Sequence, residues 1–166
     1  MKILSFLLLI TLLTPQFLRA QNEIARERSS LKGIREIGIV VNIEKPMGLS
    51  HQTLQTKVIH RAIEENFSDL PITILSDKTL RRSDEFPILH LHINVMRASN
   101  QTYPFSIEIN FYQPVKLVLN RDLQSMASTW NKGQLGVVTE NMLHVIAEEA
   151  VNVSILFKEE FEEVNL

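Results

Sequence analysis

His90 and His92 stand two residues apart in the run Leu89-His90-Leu91-His92-Ile93-Asn94-Val95. On an extended strand, side chains two apart leave the same face, so the two imidazoles project together. A second run, Phe105 to Tyr112, alternates in the same way and contributes Glu108 to a polar face. With the hairpin turning near Gln101, Asn94 is expected opposite Glu108, His92 opposite Asn110 and His90 opposite Tyr112. Two imidazoles and a carboxylate are ligand types that zinc and other divalent ions accept, which makes His90, His92 and Glu108 the candidate metal ligands. No HExxH or comparable spacing supplies a third ligand. The alternative is the solvated side of an antiparallel sheet, where polar residues need no chemistry. That reading is adopted, with no catalytic residue assigned and no cofactor expected. Asn94, Asn110, Tyr112 and Trp130 form the expected interaction surface.

Other chemistries have less support. There is no Gly-x-Ser-x-Gly elbow for a serine nucleophile, and Gly33, Gly38, Gly48, Gly133 and Gly136 fall in no phosphate-cradling pattern. The chain has no cysteine, which excludes thiol catalysis, Cys-zinc sites and a lipid-modified N-terminal cysteine. With 17 Lys and Arg against 19 Asp and Glu, it has no basic excess to neutralise a phosphate backbone, and nucleic acid is not an expected partner.

The elements that must position the polar strip can be read from periodicity. Pro87 to Ala98 and Phe105 to Leu119 are the two arms of a hairpin around Ser99-Asn100-Gln101-Thr102, apolar on one face and polar on the other. Leu31 to Ile43 is a β-branched run with the character of a strand near the middle of a sheet. Ser50 to Phe67 is an amphipathic helix with Ser50 as its cap, and Ile72 to Leu75 is a short strand parallel to the first. Ser76 to Phe86 reads as a charged surface loop. Pro114 predicts a bend in the second hairpin arm. Ser125 to Trp130 is a further strand, followed by a loop over residues 131–136. The last helix starts after a Thr139 cap, with Leu143, Ala147, Ala150, Ser154, Phe157, Phe161 and Val164 forming one apolar seam. The expected order is β-α-β-β-β-β-α: an α+β two-layer sandwich, a mixed, mostly antiparallel sheet with two helices on one face.

The N-terminus carries an address. Lys2 precedes the apolar run Ile3 to Leu13, Pro15 breaks it, and Leu18-Arg19-Ala20 precedes Gln21. This is the layout of a secretory signal peptide over residues 1–20, cleaved after Ala20, and the run is too short to span a bilayer. Residues 21–30 read as a flexible lead-in and 31–166 as one domain. The mature chain is expected in the periplasm or released, without a lipid anchor or a transmembrane span.

Ala127-Ser128-Thr129-Trp130, Gly133, Gly136-Val137-Val138, then Val153, Phe157 and Phe161 in a helix closing on Val164-Asn165, resemble the ending of a family of uncharacterised exported bacterial proteins. The order of the earlier elements is also similar to small α/β envelope domains, such as the N-terminal domain of TolB and the auxiliary lipoproteins of envelope transport systems. The chain departs from those lipoproteins in lacking the lipidated cysteine. The resemblance implies an envelope setting and carries over no functional residue.

The expected function is therefore that of a non-catalytic exported binding or interaction module. Its expected partner is an envelope protein or component, or a second copy joined through the open sheet face. A metal-dependent hydrolase built on the His90/His92 face is the alternative.

Overall fold

The computed structural model describes residue 22 and residues 24–81, 85–98 and 101–166. The expected signal peptide, residues 1–20, lies outside the described residues, as do Ser99 and Asn100 of the hairpin turn. The strands are β1 (Glu36–Glu44), β2 (Thr73–Leu75), β3 (Ile88–Val95), β4 (Thr102–Lys116) and β5 (Gln124–Thr139). The helices are α1 (residues 24–29), α2 (Thr56–Asn66), α3 (Asp77–Leu80) and α4 (Leu143–Asn165), the last entered through a 3-10 turn, Glu140–Met142. The sheet order is β2-β1-β3-β4-β5, parallel from β2 to β3 and antiparallel from β3 to β5. The α+β class and the mixed sheet are as the periodicity implies.

One face of the sheet is dry because every second residue on it is apolar. Leu89, Leu91, Ile93 and Val95 of β3 and Phe105, Ile107, Ile109 and Phe111 of β4 are all buried, against Ile59 and Ile63 of α2 and the seam of α4. Phe157 of α4 is fully buried and meets the rings of Phe67, Phe111, Trp130 and Phe161 at centroid distances of 5.8, 5.1, 5.2 and 6.3 Å. Aromatic pairs at this spacing add to the stabilisation from burial alone.

Several boundaries move. Helix α2 begins at Thr56 after Gln55, so Ser50 is not its cap. Leu49 and Leu54 instead bury their side chains in the segment that leads into it. Residues 24–29, expected to be unstructured, form α1, and Arg28 pairs with Glu163. Within the expected loop after β2, Ser76 accepts from the N–H of Thr79 to cap α3, and Leu80 lies over Gly38 where no Cβ would fit. The stretch 131–136 is not a loop: β5 continues through it to Thr139. Its glycines fit a strand for reasons of space. The Phe105 ring occupies the place of a Gly136 side chain, and Gly133 sits against Ile107 O. The second hairpin arm ends at Lys116 rather than Leu119.

Pro114 sits where β4 has already run past its last β3 partner, Tyr112, so its missing N–H costs no ladder bond on that side. The irregularity near it lies in β5, where Phe111 pairs with Trp130 and Tyr112 with Ser128, leaving Thr129 as the extra residue of a bulge.

Candidate functional site: the open sheet face

The sheet face away from α2 and α4 carries the polar strip. His90, His92 and Asn94 of β3 lie beside Val40, Asn42 and Glu44 of β1 and beside Asn110, Glu108 and Ser106 of β4. The hairpin register is shifted by two residues from the expected one: His92 faces Glu108, His90 faces Asn110, Asn94 faces Ser106, and Tyr112 faces Ile88. The turn closes earlier, with Ala98 N–H donating to Thr102 O at 2.9 Å and Gln101 at φ 56°. A shift of two leaves every side chain on its own face, which is why the alternation is respected while the pairing differs.

The two imidazoles stack with planes 8° apart and centroids 6.2 Å apart, and the Tyr112 ring lies 6.3 Å from His90. Asn42 Nδ2 donates to His90 Nε2 at 3.0 Å, a contact that requires an unprotonated nitrogen. Partial burial lowers the His90 pKa below its ordinary 6.5, and repulsion from His92 adds to the shift. His92 Nε2 lies 3.4 Å from Glu44 Oε1. Glu108, across the strand, is exposed. Among the described residues no three His, Cys, Asp or Glu side chains are grouped so as to hold a metal ion. His90, His92 and Glu108 share a face without closing into a cage.

Asn94, Asn110 and Tyr112 line the same face, each half-buried. Trp130 does not join them. It lies on the opposite face, fully buried, with its indole N–H donating to Glu160 Oε2 at 2.7 Å. From Trp130 onward the even-numbered positions of β5 turn toward the helices, so the open face takes Asn131 and Gly133. Before the bulge the parity is reversed, and Ser128 lies on the open face, its hydroxyl donating to Asn110 Oδ1 at 3.3 Å.

Sequence reading missed the apolar end of this face. Leu135 and Val137 of β5 point outward, 82% and 65% exposed, opposite Ser106 and Pro104, and Met96 at the end of β3 is 56% exposed. Their alternation with Gln134, Gly136 and Val138 was the signal, obscured by the two glycines.

A second exposed apolar area is the groove between α2 and α4, lined by Val58, Ala62, His144, Ala147 and Val151. Among the described residues no helix is long and apolar enough to cross a membrane.

No family model and no curated protein matches the chain. Among solved structures, a PelC dodecamer from Paraburkholderia phytofirmans aligns with TM-score 0.42 and 7% identity over 78% of this chain and 90% of that one. The hypothetical protein CT253 from Chlamydia trachomatis aligns with TM-score 0.35 and 8% identity, over 80% and 94%.

Proposed function

We propose that the chain is a non-catalytic, exported interaction module that engages an envelope protein or component through the open face of β3, β4 and β5. The N-terminal run from Lys2 to Ala20 supports export to the periplasm or beyond. One observation carries the choice of surface: Leu135, Val137 and Met96 form an exposed apolar strip bordered by Asn94, Ser106 and Asn131. An apolar centre with a polar rim is the anatomy of a protein-binding patch. The imidazoles contribute to the rim, held by Asn42 and Glu44.

In-cell crosslinking of the full-length chain, followed by purification and metal analysis, tests this reading. A defined partner adduct that is lost in Leu135→Lys with Val137→Lys, while the thermal unfolding midpoint is unchanged, is the expected result. Stoichiometric metal released by His90→Ala with His92→Ala, with no adduct, would replace it by the hydrolase reading.

A further inference from the structure

We infer that the free half of β5 is a self-pairing edge, on which a second copy of the chain adds its own β5 antiparallel about Gly136. This rests on the interaction reading and names the partner at one border of that surface.

Main-chain parity locates the open bonds. Met96 N–H donates to Pro104 O and Ala98 N–H to Thr102 O, both at 2.9 Å, so the even residues of β4 turn their peptide groups toward β3. Its odd residues then face β5, where Tyr103, Phe105 and Ile107 pair with Val138, Gly136 and Gln134. Gly133, Leu135 and Val137 are left with N–H and C=O directed to the outer edge of a strand that ends the sheet. The exposed side chains of Leu135 and Val137 belong to these same residues. A strand laid along this edge would satisfy the peptide groups and cover both side chains together.

Edge strands are ordinarily guarded by a charge, a proline, a bulge or a covering element. In β5 the guards stand at one end. The bulge is at Thr129, and Ser30, just after α1, donates its hydroxyl to Thr129 O at 3.2 Å. Lys132, the only charged residue of β5, is held by Glu160 at 3.2 Å and by the Trp130 ring at 5.5 Å. Gly133 to Thr139 contains no charge and no proline.

Charge complementarity selects a second copy as the occupant. The neutral run is bounded by Lys132 and Glu140. Antiparallel pairing about Gly136 sets Leu135 opposite Val137 and brings Lys132 of each copy to the end at which the other copy's β5 passes, after Thr139, into the 3-10 turn that starts at Glu140. In this register outward residues meet outward residues, as the ladder requires. A one-residue slip breaks that match, and a two-residue slip separates the charges. Gly136, at the axis, adds no side chain where two strands come closest.

The chain has no cysteine, so introduced thiols report the register directly. Full-length Leu135→Cys and Val137→Cys chains, purified separately and mixed under mild oxidation, should form the mixed disulfide roughly 10-fold faster than either chain alone. Directly opposed residues sit about 5.5 Å apart between Cα atoms, within disulfide reach, and diagonal ones about 7 Å or more. In sedimentation the unmodified chain should dimerise. Glu140→Lys should raise the dissociation constant ~10-fold, and Leu135→Lys should abolish the dimer without altering thermal unfolding. A chain that stays monomeric, with no excess of mixed disulfide, overturns self-pairing. If Leu135 then still crosslinks a different protein in cells, only the self-pairing falls; if it crosslinks nothing, the interaction reading falls with it.

Discussion

Trp130 on β5 and Glu160 on α4 meet through an indole N–H to carboxylate bond of 2.7 Å, and this contact ties the edge strand to the last helix. The same carboxylate lies 3.2 Å from Lys132 Nζ and 3.9 Å from Arg28 Nε, so strand, helix and α1 converge on one side chain. Glu160→Ala leaves the buried indole N–H without an acceptor and Lys132 without its carboxylate, while Arg28 keeps its pairing with Glu163. The expected loss is about 1–3 kcal/mol, with a shift in Trp130 fluorescence; denaturation at unchanged midpoint would refute the linkage.

Phe157 is the centre of the aromatic cluster and has no exposed surface. Phe157→Ala removes its contacts with four rings and opens a cavity between sheet and helix. A loss of roughly 3–5 kcal/mol is expected in urea unfolding, and a loss near that of a surface substitution would contradict the packing.

The two glycines of β5 should respond differently. At Gly136 a Cβ collides with the Phe105 ring, whereas at Gly133 it would sit 3.4 Å from Ile107 O and 3.9 Å from Glu108 Cγ. Gly136→Ala should destabilise by about 1–3 kcal/mol, and Gly133→Ala should cost less. Equal effects would show that the Phe105 ring moves freely.

The glycines also show where reading from sequence stops. Alternation assigned the buried and wet faces of β3 and β4 residue by residue, and the α4 seam from Leu143 to Phe161 is buried as its spacing implies. Periodicity of two cannot tell one register from another two residues away, so it admits Asn110 opposite His92 as readily as the observed partner, Glu108. Gly133 and Gly136 resemble loop residues until the Phe105 ring that requires the second is placed above it. The buried face of Trp130 depends on the β5 register and on the bulge at Thr129, which no local pattern reports.

His90 makes stability depend on pH. Its folded pKa lies below the ordinary 6.5, so below that pH the unfolded chain takes up a proton that the folded chain resists. Stability is therefore full above about pH 6.5 and falls as the pH drops toward the folded pKa, where the loss levels off. His90→Gln retains an acceptor for Asn42 and should flatten this part of the profile. An NMR titration of the His90 ring with its midpoint above 6.5 would reverse the sign.

The proposed function turns on which exposed apolar surface meets a partner. A photoreactive side chain placed at Leu135, on the open face, can be compared in cells with one at Val58, in the groove between α2 and α4. A discrete adduct from Leu135 and none from Val58 is the expected result. An adduct from Val58 alone would contradict it and move the interaction surface to the helices.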